Sequence, residues 1–213
     1  MITQSLYERY LDLLLQGDRA GCGRIVQALL DRQIAIRELY TDLFQKSLYA
    51  VGELWENNRI SVAREHLATA ITEGLLHLVY PRLFGGERRL RKAVVSCAAN
   101  EWHQVGGKMA ADIFELNGWD GYFLGANTPV ADLVALIDEI RPDLVGLSLS
   151  IAANMPSLEA GIDAVRADFP RLDLLVGGQA FRITGSGMLK RFAQVAYVPT
   201  LEALEITIGR LDP

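Results

Sequence analysis

The chain has 213 residues, 50% of them apolar and 22% charged, with a formal net charge of −5. That length holds one large domain or two small ones, and the composition excludes the disordered and fibrous classes. The acidic balance argues against a broad nucleic-acid-binding face. Two cysteines, Cys22 and Cys97, stand far apart and form neither a disulfide framework nor a zinc motif, so a reduced, cytoplasmic protein is expected. The opening residues, Met1 to Tyr10, lack the basic-then-apolar order of a signal peptide. No uncharged apolar run of roughly 18 residues occurs, so no membrane span is expected.

Residues 1–84 read as helix only. Ile2, Leu6, Tyr10, Leu13 and Leu14 recur at helical spacing. Gly17-Asp18 punctuates, with Asp18 as a plausible N-cap, and Cys22, Ile25, Val26, Leu29 and Leu30 form a second stripe. A third helix spans roughly residues 34 to 56, with Leu39, Leu43, Phe44, Tyr49 and Trp55 among its apolar positions. Glu56-Asn57-Asn58-Arg59 breaks it. Ser61 then caps a fourth helix that runs to about Tyr80, before Pro81. Four helices with short connections predict a bundle. Residues 85–91, two glycines followed by charges including three arginines, read as a solvated linker.

From Lys92 the pattern changes to short apolar runs alternating with amphipathic segments. Strands are expected at 93–98, 122–124, 144–150, 172–178 and 195–198. Helices are expected at 105–117, 129–141, 156–168, near 186–192 and at 200–211. This alternation implies right-handed crossovers and a parallel sheet. The expected fold is α+β with two domains. A four-helix bundle (1–84) precedes a flavodoxin-like, Rossmann-type α/β domain (92–213) with a five-stranded parallel sheet in the order 2-1-3-4-5.

Ligands on such sheets bind at the carboxyl ends of the strands, which directs attention to the loops there. After the first strand comes Asn100-Glu101-Trp102-His103-Gln104-Val105-Gly106-Gly107. An imidazole there can ligate a metal, a carboxylate two residues away can orient it, and the glycines allow close approach. Alone, such a histidine could equally be an ordinary surface residue. After the third strand, Ser148 and Ser150 are expected on one side, where their hydroxyls could bond a ligand or cap the next helix. After the fourth, Gly177-Gly178 either admits a ligand against the backbone or makes the turn.

The separations sharpen these readings. Glu101-x-His103-x-x-Gly106 is followed by 41 residues (107 to 147) and then Ser148, and 26 residues (151 to 176) separate Ser150 from Gly177. The pattern over residues 92–212 resembles the cobalamin-binding domain family, whose signature is Asp-x-His-x-x-Gly, Ser-x-Leu and Gly-Gly at these separations. Glu101 stands where that signature has Asp, and Ser150 where it has Leu. The resemblance implies that His103 is the lower axial ligand of cobalt, displacing the cofactor's own benzimidazole. It implies that Glu101 orients that histidine, and that Trp102, Gln104, Val105 and Gly106 join the contacts. Ser148 and Ser150 would line the cleft for the nucleotide tail, Gly177 and Gly178 would let the tail pass, and Asn127 and Thr128 would border corrin or tail. Small residues at strand ends suit the deep, narrow slot that such a tail needs.

A helical bundle ahead of a cobalamin domain is also a family feature, one that covers the cofactor's upper face. Trp55 is followed by nine residues (56 to 64) and then Glu65-His66. This resembles adenosylcobalamin photoreceptors of the CarH type. Val62, Glu65, His66 and Thr69 share a helical face. An aromatic wall with a carboxylate and an imidazole suits an adenosyl group. The same residues could also be ordinary core and surface positions. Those photoreceptors carry a histidine directly after the tryptophan; here Glu56 stands in its place, which removes that route to a bis-histidine product. They also carry a helix-turn-helix DNA-binding domain. Residues 1–32 are taken up by the bundle, so direct DNA binding is not expected, and the architecture resembles cobalamin regulators that act on a partner transcription factor.

Three functions stay open on this reading. One is a light-responsive regulator that binds adenosylcobalamin between bundle and sheet and signals to a protein partner, a transcription regulator or another signalling protein. Another is a corrinoid methyl carrier serving separate methyltransferases, holding methylcobalamin. The last is a plain cobalamin-binding module, with hydroxocobalamin as one form it could hold. A homo-oligomer is compatible with all three. No catalytic residue is assigned, and a mutase is not expected, because 213 residues leave no room for its substrate barrel.

Overall fold

The computed structural model describes residues 1–211. Residues 212 and 213, the end of the expected second domain, lie outside the described residues. The chain divides into two compact units, Met1–Leu83 and Phe84–Pro213.

The first unit is helical. α1 (Gln4–Gln16) is capped by the Thr3 hydroxyl and closed by Gly17 in the left-handed conformation. Asp18 caps α2 (Arg19–Asp31) by accepting from the Gly21 amide. The third helix opens as α3 (Ile36–Glu38), passes through a π-helical segment (Leu39–Gln45) and continues as α4 (Lys46–Glu56). Ser61 caps α5 (Val62–Val79) by accepting from the Arg64 amide, and a 3₁₀ turn with Pro81 follows. Tyr10, Leu14, Val26, Leu30, Leu39, Tyr40, Leu43, Phe44 and Val51 make the core of this unit. Tyr40 stacks on Phe44 with ring centroids 6.0 Å apart, and Tyr10 lies tilted at 6.3 Å from the same ring. Each such side chain contributes about 1.5–3 kcal/mol through burial.

Five parallel strands form the sheet of the second unit among the described residues: β1 (Lys92–Cys97), β2 (Asp120–Phe123), β3 (Leu144–Ser148), β4 (Asp173–Gly177) and β5 (Val195–Tyr197). Their order is β2-β1-β3-β4-β5, as expected for a flavodoxin-like sheet. The crossovers run through α6 (Val105–Leu116), α7 (Val130–Ile140), α8 (Met155–Asp168) and α9 (Ala180–Thr184), and α10 (Leu201–Leu211) follows β5. β1 and β3 are buried almost throughout because helices cover both faces, which is why they read as unbroken apolar runs. Val94, Val145, Leu147, Leu174 and Val176 pack with Leu158, Ile162 and Val165 of α8. The register matters most for function: Cys97 pairs with Ser148, and Ser148 with Gly177. The loops after β1, β3 and β4 therefore leave the sheet side by side.

Several boundaries differ from the sequence reading. β2 begins at Asp120, because Asp120 and Gly121 pair with Lys92 and Ala93, and ladder pairing extends a strand into residues that periodicity rates polar. α9 was not expected; five residues are too few to show a helical period. The arginines after Gly86 are held rather than loosely solvated. Arg88 pairs with Glu115 and Asp120, Arg91 with Asp143, and the Arg89 amide donates to the Gly118 carbonyl.

Candidate functional site

The site grows from the carboxyl ends of β1 and β3. After β1 the chain turns at Asn100, which adopts a positive φ of 65°, and Glu101 folds inward with no exposed surface. Its carboxylate accepts four hydrogen bonds. Oε1 takes the His103 amide at 2.8 Å and faces His103 Nδ1 at 2.6 Å. Oε2 takes the amides of Ser150 at 2.8 Å and Ile151 at 2.9 Å. Burial is the largest single influence on this carboxyl and would raise its pKa, but the bonds from the His103 ring and from the His103, Ile151 and Ser150 amides outweigh it and hold it at about 2. An ionised carboxylate is purely an acceptor, so Nδ1 of His103 donates to it. The His103 side chain is 49% exposed.

Around this pair the loops are tied together. The Asn100 amide donates to Asn127 Oδ1, the Asn127 amide donates to the Glu101 carbonyl, and Asn154 Nδ2 donates to the Asn100 carbonyl. Asn100 Nδ2 also bonds Ser157. Asn100, Ile151, Asn154 and Ser157 were not singled out from the sequence. Asn100 and Asn154 act partly through backbone contacts, and Ile151 through its amide, which no side-chain pattern reveals.

Other expected positions fall as follows. Trp102 is 70% exposed beside His103, and Gln104 and Val105 begin α6. A Cβ added at Gly106 would meet nothing within 4 Å, so its surface is open; at Gly107 it would crowd the Phe123 ring at 3.1 Å and touch Cys97 and Ser148 at ordinary contact distance. Ser148 is buried at the end of β3. Ser150 departs from expectation. It lies beyond the strand, so strict alternation with Ser148 does not apply, and its amide, donating to Glu101, is the group that reaches the site. Gly178 has a φ of +113°, and a Cβ there would stand 2.1 Å from the Leu149 carbonyl oxygen. Backbone packing alone thus demands glycine at 178. Gly177 is less constrained, with a Cβ 3.0 Å from the Val198 carbonyl. The Thr128 hydroxyl oxygen is buried with no hydrogen-bond partner among the described residues. Cys97 is buried and its thiol is pushed up to about 12 by that burial and then by Glu101, which leaves it inert.

In the bundle, Glu65 accepts from the Thr69 hydroxyl at 2.9 Å and lies 3.6 Å from His66 Nε2. The His66 side chain is 73% exposed, and Val62 is exposed in the first turn of the same helix. Trp55 ends α4 with 41% of its surface exposed, which a purely core tryptophan would not show. Glu56 and His77 are exposed as well.

The site holds an imidazole that is half-exposed and oriented by a buried carboxylate. The open surface at Gly106 and the unpartnered Thr128 hydroxyl suit a large group with polar substituents. Sheet and site together resemble those of domains that bind a large cofactor at the carboxyl edge of a parallel sheet. The chain belongs to the B12 binding domain family: one B12 binding domain model matches residues 91–206, and a second matches residues 6–80. It is 32% identical over 180 residues to the HTH-type transcriptional repressor CarH of Myxococcus xanthus, covering 82% of this chain and 59% of that protein. It is 36% identical over 126 residues to the repressor CarA of the same organism, covering 58% of this chain and 43% of that one. The chain thus spans less than two thirds of either relative. Its fold matches the monomethylamine corrinoid protein of Methanosarcina barkeri with a TM-score of 0.85 and 14% identity, covering 98% of this chain and 99% of that one. It is a cobalamin-binding protein related to these regulators. No helix among the described residues is long and apolar enough to cross a membrane.

Proposed function

We propose that the protein is a cytoplasmic, light-responsive sensor that binds adenosylcobalamin and signals to a protein partner, a transcription regulator or another signalling protein. Residues 1–84 form the bundle that caps the cofactor, 85–91 the link and 92–213 the domain that holds it. His103 is the lower axial ligand, and Glu101 fixes its tautomer and ring. Ser148, the Ser150 loop and Gly177 line the slot for the nucleotide tail, with Asn127 and Thr128 on its border. Trp55, Val62, Glu65 and His66 take the adenosyl group.

The bound cofactor supplies a cobalt–carbon bond that light cleaves. Trp55, Glu65 and His66 would hold the adenosyl group, and its departure would shift the bundle's conformational balance, because the two ligand states would no longer bind alike. What carries the reading is the polar trio Glu65, His66 and Thr69 on a helix preceded by a half-exposed Trp55, in a chain related to CarH. Gel filtration of the adenosylcobalamin complex, in the dark and after green light, tests it. A change of size or of partner binding on illumination is expected; identical profiles with and without a partner contradict the sensor role.

A second reading is a corrinoid methyl carrier, favoured by the fold match along almost the whole chain. It predicts methyl transfer from the methylcobalamin complex to a separate enzyme's substrate.

A further inference from the structure

The end of the first unit is fixed. Leu83 is buried, and the Arg82 guanidinium donates to the Leu30 carbonyl at 3.0 Å. The stretch that follows divides in two. Phe84 is half-exposed, and a Cβ added at Gly85 would meet nothing within 4 Å. Residues 87–91 are different, because backbone and side chains tie them to the turn between α6 and β2. The Arg89 amide donates to the Gly118 carbonyl at 2.7 Å, and the Asp120 amide to the Arg91 carbonyl at 2.8 Å, so pairing with this turn begins ahead of β1. Gly118 has a φ of +82°, and a Cβ there would strike the Glu87 carbonyl oxygen. The two segments therefore pass too close for any residue but glycine. Arg88 pairs with Glu115 at 2.7 Å and also with Asp120; Arg91 pairs with Asp143 at 2.9 Å and lies over the Trp119 ring. Each ion pair is partly exposed and weak alone, but they act together on a segment that the backbone already holds. Leu90 is the telling residue: its side chain is fully exposed, while the Arg89 amide and the Arg91 carbonyl on either side of it are bonded.

We propose that residues 87–91 are an arginine strap belonging to the second unit, which confines the hinge between the units to Phe84–Gly86. A free hinge of three residues (84 to 86) spans at most about 10 Å, whereas one of eight (84 to 91) would span about 28 Å. The local concentration of one unit at the other falls roughly as the 3/2 power of linker length, so the strap raises it about fourfold. The functional weight of the strap rests on the bundle's proposed role as cap of the cofactor.

The test uses the full chain, wild type beside Arg88→Ala/Arg91→Ala. Subtilisin accepts both phenylalanine and leucine ahead of the bond it cuts, so its choice between Phe84 and Leu90 reports backbone freedom. Wild type should be nicked at 84–86 and spared at 88–91, and its Arg89 and Asp120 amides should exchange slowly with solvent. The variant should gain cuts after Leu90, with exchange at the Arg89 amide about 10-fold faster or more. Wild type cut after Leu90 as readily as after Phe84, or a variant with unchanged cutting and exchange, overturns the proposal. The wild-type digest and exchange decide the matter even if the variant fails to fold.

Adenosylcobalamin should bind the variant about 3–5-fold more weakly than wild type, and hydroxocobalamin should lose less. A released strap with undiminished adenosylcobalamin binding refutes the capping role of the bundle, an outcome distinct from failure of the strap.

Discussion

The Asn127 amide donates to the carbonyl of Glu101 at 2.8 Å, and the Asn127 side chain accepts from the amide just before Glu101. The loop after β2 is thereby clasped to the loop after β1, with Asn127 itself at a φ of 49°. The clasp fixes the backbone from which the Glu101 carboxylate enters the interior. The histidine that carries the proposed function is held through that carboxylate.

Burial pushes the Glu101 carboxyl up, but its hydrogen bonds outweigh that and hold it at about 2, below the ordinary 4.5, so the native state prefers it ionised. For a depressed carboxyl the stabilisation is complete above the unfolded pKa and is lost as pH falls through the folded one. Stability should therefore drop between about pH 4.5 and 2, and Glu101→Gln should flatten that part of the profile. Urea unfolding across this range checks it; parallel profiles for the two proteins contradict the assignment.

Gly178→Ala places a Cβ 2.1 Å from the Leu149 carbonyl at a φ that side chains rarely adopt. The strain should cost roughly 1–3 kcal/mol of stability. Gly106→Ala, with open space around its Cβ, should cost less, and its main effect should be on cofactor affinity. Thermal unfolding of the two apo variants separates them.

The Thr128 hydroxyl is buried without a partner among the described residues. Thr128→Val removes an uncompensated polar group at nearly constant shape. Apo stability should hold or rise by about 1 kcal/mol, while cobalamin affinity should fall. A variant that loses apo stability and keeps its affinity contradicts the placement of Thr128 on the cofactor's border.

Trp55 keeps 41% of its surface exposed, so truncation should cost the fold little. Trp55→Ala should weaken adenosylcobalamin binding more than hydroxocobalamin binding, because only the former has an adenosyl group to cover. Equal losses in parallel titrations identify Trp55 as structural.

Much of this was legible in the sequence. Asp18 and Ser61 announce their helices because a cap is a local device, and Glu101-x-His103 forms a contact within two residues. Alternation implied the parallel sheet, and five strands suited the flavodoxin-like order that the sheet has. What escaped depends on partners distant in sequence. Pairing with Lys92 moved the start of β2, and Arg88 found Glu115 and Asp120 instead of solvent. Ser150 was read for its hydroxyl, whereas its amide meets Glu101, since a backbone donor carries no residue signature. The π-helical turn over Leu39–Gln45 left no mark in the apolar spacing either.

The most direct measurement is an absorbance spectrum of the purified protein with adenosylcobalamin, in the dark and after green light, beside His103→Ala. The account predicts a dark complex with histidine on cobalt that light converts to a stable product, and an altered spectrum or binding weakened about 10–100-fold in the variant. A light-indifferent wild-type spectrum, or a variant spectrally identical to wild type, would contradict it.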